Sequence, residues 1–214
     1  FYIIFFVVLI GMIRGSYNTK NTITDNKNNV NAEYKLNGIK NGNYHFIREE
    51  NINGVITNFT GDKTDNKTEG IMTTDNAFYN YFIYDNINLL RLTDKYEVTD
   101  ELYHFNNITN DSNIENILNK ATLISKTEYE TGNTSYNYEI TTNTLDQVLN
   151  TTNLDLDMPT NSITLETNEE DEVFKITYEL SSYATYTNNM TTTVSITITY
   201  SNFGEIEDIE IPES

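Results

Sequence analysis

Apolar and polar residues alternate along the last third of the chain. Residues 172–180 and residues 193–200 both place an apolar side chain at every second position. A period of two is typical of a strand with one buried face and one solvated face. We therefore expect two neighbouring antiparallel strands here. Their inward-facing residues are Phe174, Ile176, Tyr178 and Leu180 in the first strand and Val194, Ile196, Ile198 and Tyr200 in the second.

Two further segments extend this predicted sheet. Residues 161–167 precede the acidic turn 168–171 and are well placed to pair with the strand that follows it. Residues 205–211 resume the alternation and predict a last strand with Ile209 and Ile211 inward. The C-terminal third is therefore predicted to be an antiparallel meander.

A hairpin is predicted upstream of this meander. Residues 123–129 and 135–140 have strand composition, and Gly132 between them readily adopts the positive φ that a tight turn requires. The polar stretch 186–190 is predicted to be a simple connection between two strands. Long β-structure with short turns thus accounts for most of the chain after residue 120.

Two short helices are predicted among the strands. Ser112 and Glu115 form a capping-box pattern, in which the hydroxyl accepts a hydrogen bond from a free backbone N–H. The segment 143–150 begins at Asn143 as its predicted N-cap. Helices this short are stable only when an apolar face is packed, so each must lie on the sheet. These faces consist of Ile114, Ile117, Leu118 and Ala121 in the first helix and Leu145, Val148 and Leu149 in the second.

The segment 77–84 is apolar or aromatic at nearly every position. As a strand it presents Phe78, Phe82 and Tyr84 to one face, and Tyr79, Tyr81 and Ile83 to the other. A strand that lines a ligand cavity has this pattern, and so does a central strand covered by helices or a dimer edge. The candidate ligand-binding residues are Phe78, Phe82, Tyr84, Tyr103 and Phe105.

The first part of the chain has a different composition. Residues 1–13 carry no charge and are predicted to be a signal peptide or membrane anchor. As a helix they would span about 20 Å, which is shorter than the roughly 30 Å hydrocarbon core of a bilayer. Residues 14–32 lack periodicity and large apolar groups, so we expect a flexible polar tether. Residues 33–214 are then predicted to form one β-rich domain.

Charge and cysteine content exclude several classes of function. The 214 residues include 32 Asp and Glu against 13 Lys and Arg, which gives a net charge of -19. Nucleic-acid binding depends on basic residues that neutralise phosphates, so we expect no nucleic-acid partner. A basic patch for anionic lipid head groups is disfavoured for the same reason, and membrane contact is expected only through residues 1–13. The chain has no Cys, which excludes disulfides and thiolate metal sites.

Motifs for catalysis are not found in the sequence. It contains no nucleophile elbow, phosphate-binding glycine loop or zinc-protease motif. His45 and His104 each lie between aromatic residues on predicted strands; they are either unrelated or close enough to share a metal or a proton. Carboxylates cluster at 62–70, 155–157 and 169–172, where solvated turns and weak calcium binding are the two interpretations. We expect no enzyme activity, no metal site and no cofactor.

The order of elements resembles a known fold. Strands, a short helix, a long hairpin, a second helix and a terminal meander follow an export-type segment, as in the LolA/LppX-type fold of bacterial envelope lipoproteins and lipid carriers. The stretches that carry the resemblance are 127–129, 135–140 and 200–206. It implies an incompletely closed antiparallel barrel, with helices on its concave side and acyl chains held between sheet and helices. The chain also resembles surface proteins of low-GC Gram-positive bacteria. Ser16 stands where a lipoprotein signal has its Cys.

These features combine into one prediction. The fold class is α+β and mainly antiparallel β, with a curved open half-barrel sheet and two short helices on one face. The predicted function is non-catalytic binding of a lipid or other amphiphile between sheet and helices. The alternative is a cell-surface protein-interaction or sensor domain without a small-molecule ligand, and its protein partner is left open. The expected location is extracytoplasmic in a bacterium, either secreted or tethered to the outer face of the cytoplasmic membrane.

Overall fold

A computed structural model describes residues 34–75, 77–100, 102–149, 159–188 and 190–212. Within these residues the chain forms eleven strands and five short helices. The strands are β1 Asn43–Ile52, β2 Val55–Thr64, β3 Lys67–Thr73, β4 Phe78–Tyr84, β5 Ile87–Arg91, β6 Tyr96–Thr99, β7 Thr122–Glu128, β8 Thr134–Thr141, β9 Thr160–Thr167, β10 Val173–Glu179 and β11 Val194–Ser201. The helices are α1 Asn37–Lys40, α2 Asn106–Thr109, α3 Asp111–Leu118, α4 Thr142–Val148 and α5 Ser181–Asn188. The predicted export segment 1–13 and tether 14–32 lie outside the described residues.

All eleven strands belong to one open sheet. Their order is β6-β5-β4-β3-β2-β1-β11-β10-β9-β8-β7, and each neighbouring pair is antiparallel. Strands β1 to β6 form one meander and β7 to β11 form another, and the two are joined where β1 pairs with β11. The predicted α+β class with a mainly antiparallel, open sheet is therefore confirmed.

The topology explains why helices cover one face of the sheet. Strands β6 and β7 are consecutive in the chain but form the two opposite edges. The connection between them must cross the whole sheet, and it carries α2 and α3 over one face. Ile108, Ile114 and Ile117 of these helices are fully buried in the main core. We call the helix-covered side the inner face and the opposite side the outer face.

The main core lies between the helices and the inner face. Strict alternation in β8, β9 and β11 supplies buried side chains at every second position. The helices pack mainly over β1, β8, β9 and β11. The inner face of β3 to β6 therefore projects beyond the main helical layer, which leaves a wing of the sheet partly open.

Several local predictions are confirmed. Strands β9 and β10 pair across the acidic turn, and β10 pairs with β11 as expected. The hairpin of β7 and β8 turns at Gly132, whose φ is +84°. In α3 the predicted apolar stripe packs into the core through Ile114, Ile117 and Leu118.

Two strand predictions were wrong in detail. A β-bulge between Val173 and Lys175 shifts the register, so that Val173 is buried instead of Phe174. Residues 205–211 do not form the predicted strand. Ile209 is buried there, but Ile211 is 53% exposed. This segment crosses the outer face, where Lys67 Nζ donates to the Ile209 carbonyl at 2.8 Å.

Both predicted N-caps were also displaced. Helix α3 is capped by Asn110, whose Oδ1 accepts from the Ser112 N–H at 3.0 Å, so Ser112 lies inside the helix. Helix α4 is capped by Thr141, whose Oγ1 accepts from the Thr144 N–H at 3.1 Å. Each N-cap lies two residues earlier than its sequence pattern indicated, because a neighbouring polar side chain reaches the free N–H groups first.

Helix α5 replaces a predicted connection. Residues 186–190 were expected to link β10 directly to β11, yet Ser181–Asn188 is helical. Tertiary contacts hold it: the Tyr183 N–H donates to Asn161 Oδ1 at 2.9 Å, and Ser181 Oγ accepts from the Val194 N–H at 2.9 Å. In the part of the chain that the structure describes, no helix is long and apolar enough to cross a membrane.

Candidate functional site

Strand β1 places two opposite charges in the interior. Its alternation turns Tyr44, Phe46, Arg48 and Glu50 toward the inner face. Arg48 is 3% exposed and Glu50 is 1% exposed. Arg48 Nε donates to Glu50 Oε1 at 2.6 Å, so the two side chains neutralise each other across two positions of one strand. Buried charges are tolerated only when they are paired and hydrogen-bonded, as they are here.

This pair also fixes the crossover connection on the sheet. Arg48 Nη1 donates to Thr109 Oγ1 at 2.9 Å, and Nη2 donates to the His104 carbonyl at 2.7 Å. The His104 backbone N–H donates to Glu50 Oε1 at 3.1 Å, and His104 Nδ1 lies 2.7 Å from Glu50 Oε2. We call Arg48, Glu50, His104 and Thr109 the Arg48 clamp. The guanidinium also lies 4.8 Å from the centre of the Tyr103 ring.

A second polar cluster lies beside the clamp. Asp111, the first residue of α3, accepts at the same oxygen, Oδ2, from the Tyr44 hydroxyl and from Lys63 Nζ. The Lys63 contact is 2.6 Å long. Burial, followed by the charge of Asp111, holds the pKa of Tyr44 well above its usual value. Tyr44 therefore stays protonated and remains a donor to Asp111.

Two glycines leave space for the Tyr81 side chain beside the site. Gly61 on β2 and Gly70 on β3 are direct partners across the sheet. A Cβ atom on Gly61 would lie 2.8 Å from the Tyr81 hydroxyl, and one on Gly70 would lie 2.9 Å from it. Tyr81 thus occupies the space above both backbones, and its hydroxyl accepts from the Tyr103 hydroxyl at 3.0 Å. Small residues here are required by close packing.

A cavity of about 70 Å³ lies between the two polar clusters. It is lined by Tyr44, Phe46, Arg48, Lys63, Thr68, Tyr103, Asn106, Thr109, Asn110, Asp111, Ile198 and Tyr200. A groove of about 510 Å³ adjoins it on the open wing and shares Lys63, Thr68, Tyr103 and Asn106 with it. Ile83 of β4 lines the same groove. The site therefore combines a small cavity with polar and aromatic walls and a larger neighbouring groove whose lining is mostly polar.

The structure separates the five sequence-predicted ligand residues. Phe78, Phe82 and Tyr84 lie on the outer face of β4, whereas Tyr103 and Phe105 lie on the inner side of the sheet. Phe78 is 78% exposed and Phe82 is 1% exposed. Of the five, Tyr103 lines the cavity, and Phe105 packs edge-on against Tyr183. The binding role of these five residues stays a prediction.

The two histidines are held by different carboxylates. His45 lies on the outer face of β1, where its Nδ1 is 2.7 Å from Asp62 Oδ1. His104 lies on the inner side with Glu50 and belongs to a turn, although a strand was predicted there. The sheet separates them, which agrees with two unrelated histidines. Across the described ranges, no three His, Asp or Glu side chains converge in a way that could hold a metal ion.

Sequence reasoning did not find Arg48, Glu50, Lys63 or Asp111. The alternation in β1 could have revealed the first two. Tyr44 and Phe46 predict the inward face of this strand, and Arg48 and Glu50 occupy the next two inward positions. Two opposite charges at buried positions of a strand indicate an internal ion pair. Asp111 and Lys63 carry no comparable local signal, because their neighbours in space come from distant parts of the chain.

Comparisons with known proteins identify the fold. No protein-family model matches the chain, and no curated protein matches it in sequence. Among solved structures, it is similar to the crystal structure of Mycobacterium tuberculosis lipoprotein LppX, with a TM-score of 0.53 and 14% sequence identity. The match covers 82% of this chain and 93% of LppX. The predicted LolA/LppX-like fold is confirmed.

Proposed function

We propose that this protein binds an amphiphile on the inner face of its sheet. The polar end of the ligand lies at the cavity between the Arg48 clamp and Asp111, and the apolar part extends through the groove onto Met72, Ile83 and Leu90 of the open wing. The observation that carries this proposal is the junction of a small, partly polar cavity with a larger groove at Lys63, Thr68, Tyr103 and Asn106, next to the partly exposed apolar side chains of the wing.

The volumes determine where each part of the ligand fits. A cavity of about 70 Å³ holds a few water molecules or a small polar group. The adjoining groove of about 510 Å³ is within the range of about 300 to 1,000 Å³ that is usual for small-molecule sites. Of these two spaces, the groove is the one large enough for part of an acyl chain. Its lining is mostly polar, so the chain would pass through it onto the apolar side chains of the open wing.

The surface next to the groove is suited to an apolar chain. Met72, Ile83 and Leu90 face inward on β3, β4 and β5 and are only partly buried. These strands extend past the main helical layer, so a ligand would complete the cover over them. Burying such partly exposed side chains contributes about 25 cal/mol for each Å² removed from water.

The likeness to a lipoprotein supports this proposal. LppX is a lipoprotein. An envelope location, with residues 1–13 as export signal or anchor, agrees with that likeness and with the apolar sequence of this segment.

Native mass spectrometry of the full chain, purified without detergent and incubated with bacterial lipid extract, tests the proposal. We expect a mass excess that is lost on organic extraction and strongly reduced by Ile83→Asp. Ile124→Asp is the matched control, because Ile124 is 50% exposed on the edge strand β7, away from the groove. Residues 1–13 are common to both variants, so lipid bound there does not distinguish them. No adduct, or equal adducts in both variants, would overturn the proposal.

A second candidate function is self-association through the outer face of the wing. Phe78 is 78% exposed and Val98 is 77% exposed there, on strands β4 and β6. Exposed apolar side chains grouped on one sheet face are typical of an interaction surface. Light scattering across a concentration series tests self-association, with the double change Phe78→Ser and Val98→Ser as the variant. Association that the double change abolishes would support this function, and a monomer at every concentration would oppose it.

A further inference from the structure

We propose that the polar end of the ligand is a neutral head group rich in hydroxyls, such as a sugar, and not a phosphate or carboxylate. This inference rests on the proposed amphiphile function and names the head-group class of the same site. It is drawn from the charges and the unused hydrogen-bonding atoms around the cavity.

Charges at the cavity cancel in pairs. Arg48 is neutralised by Glu50 at 2.6 Å, and Lys63 is neutralised by Asp111 at 2.6 Å. A bound phosphate would therefore meet no uncompensated cation, and it would lie close to the Asp111 carboxylate. Since the whole chain carries a net charge of -19, the surrounding field also opposes a second anion. A neutral ligand avoids both costs.

Several polar atoms at the cavity retain hydrogen-bonding capacity. Arg48 uses three of its five N–H groups on partners within the described residues. Asp111 receives both of its contacts at Oδ2, so Oδ1 has no partner in the same part of the chain. The Asn106 amide, which lines the cavity, likewise makes no side-chain hydrogen bond to a described residue. Free donors and free acceptors thus occur together.

This combination fits hydroxyl groups better than other head groups. A hydroxyl donates one hydrogen bond and accepts others, so adjacent hydroxyls can bond to Asp111 Oδ1, the Asn106 amide and Arg48 together. A phosphate or carboxylate only accepts, and it would leave Asp111 Oδ1 without a donor. A bound ligand would displace water from these atoms, and a polar atom then left without a partner is costly, so the ligand that satisfies both kinds of atom is favoured.

The position of Asn106 directs the rest of the ligand. Asn106, Lys63 and Tyr103 line both the cavity and the groove. A head group bonded to Asn106 is therefore at the mouth of the cavity, with its chain directed along the groove toward Ile83. A change at Asn106 therefore tests the head-group class, and a change at Ile83 tests the amphiphile function.

Isothermal titration calorimetry of the full chain with octyl glucoside, octyl phosphate and free glucose tests the inference, with each amphiphile below its micelle concentration. We expect octyl glucoside to bind more tightly than octyl phosphate. Asn106→Ala should weaken octyl glucoside about five-fold, the loss of one or two neutral hydrogen bonds. Asn116→Ala is the matched control, since Asn116 is an exposed asparagine of α3 outside the cavity.

Charge at the site is tested by Asp111→Asn, with circular dichroism as the check on folding. Removing this carboxylate leaves Lys63 uncompensated, so octyl phosphate should gain affinity and octyl glucoside should lose it. Equal binding of the two amphiphiles, with loss of both in Ile83→Asp, would overturn the head-group inference and leave the amphiphile function intact. Binding that is insensitive to Ile83→Asp would overturn the amphiphile function. Free glucose binding as tightly as octyl glucoside would support the head-group chemistry and overturn the amphiphile.

Discussion

Arg48 and Glu50 form an ion pair that is almost fully buried, with Nε of the arginine 2.6 Å from Oε1 of the glutamate. The two residues are separated by one position on β1, so the pair is set by the pleat of a single strand. Arg48 also donates to Thr109, and Glu50 also contacts His104, and both of these partners belong to the crossover connection. The pair therefore couples the sheet to the segment that carries α2 and α3.

Glu50→Gln tests the contribution of this pair to stability. The change leaves the Arg48 charge buried without its carboxylate, and removing one partner of a buried pair costs about 3 kcal/mol. We expect the free energy of unfolding, measured in urea, to fall by about that amount. Glu49→Gln is the control, because Glu49 is exposed on the outer face. Similar losses in the two variants would contradict the buried role of Glu50.

Tyr44→Phe tests the link between β1 and α3. The change removes the hydroxyl that donates to Asp111 and leaves Lys63 as the donor to that carboxylate. A hydrogen bond to a charged group contributes about 1.5 to 3 kcal/mol, and we expect a loss in that range by urea denaturation. Tyr200→Phe at the same cavity serves as the reference, since no hydrogen bond of its hydroxyl to a described residue is found. A larger loss in that variant would refute the assignment.

Gly70→Ala tests the close approach of β2 and β3. A Cβ atom at this position would lie 2.2 Å from the Thr60 carbonyl oxygen and 2.9 Å from the Tyr81 hydroxyl. The backbone would have to shift, and overpacking of this kind costs about 1 to 3 kcal/mol. Thermal unfolding should show a lower midpoint than the wild type. Thr60→Ala, an exposed change on β2, should alter stability by less than about 0.5 kcal/mol.

Phe82→Ala and Phe78→Ala separate structural from surface aromatics on one strand. Phe82 is 1% exposed and lies 5.7 Å from the Tyr84 ring, although both are outside the inner-face core. Truncating a buried phenylalanine costs about 3 to 5 kcal/mol. Phe78 is 78% exposed, and its truncation should cost less than about 0.5 kcal/mol. Equal effects in chemical denaturation would show that Phe82 is not packed as described.

Alkaline unfolding should follow the buried tyrosines. Burial is the main cause that holds the pKa of Tyr44, Tyr81 and Tyr200 well above 10.0 in the folded protein, whereas the unfolded chain has the ordinary value. Their contribution to stability is complete below pH 10 and is lost as the pH rises through the folded values, by about 1.4 kcal/mol per pH unit for each group.

Tyrosinate absorbance measured against pH, alongside circular dichroism, checks this expectation. The tyrosinate absorbance of these buried residues should rise at the same pH at which circular dichroism shows loss of secondary structure. Tyr200→Phe should raise the pH at the midpoint of alkaline unfolding. Tyr96→Phe should leave that midpoint unchanged, because Tyr96 is only half-buried on the edge strand β6. Ionisation of all tyrosines well before unfolding would contradict their burial.

The sequence alone determined the elements in which buried side chains recur at a regular spacing. Strands β9, β10 and β11, the hairpin at Gly132 and the apolar stripe of α3 all follow from periods of two or 3.6 residues, because those periods place side chains on one face of a strand or helix. The order of these elements was also sufficient to predict the LolA/LppX-like fold.

Only the tertiary structure decided which of these residues meet. Arg48 and Thr109 are 61 residues apart, and Lys63 and Asp111 are 48 residues apart. They come together because the two edge strands are consecutive in the chain, which forces the connection to cross the inner face. The bulge at Val173 and helix α5 likewise depend on neighbours from other strands. Contacts over such separations leave no periodic trace in the local sequence, so the cavity could not be predicted from it.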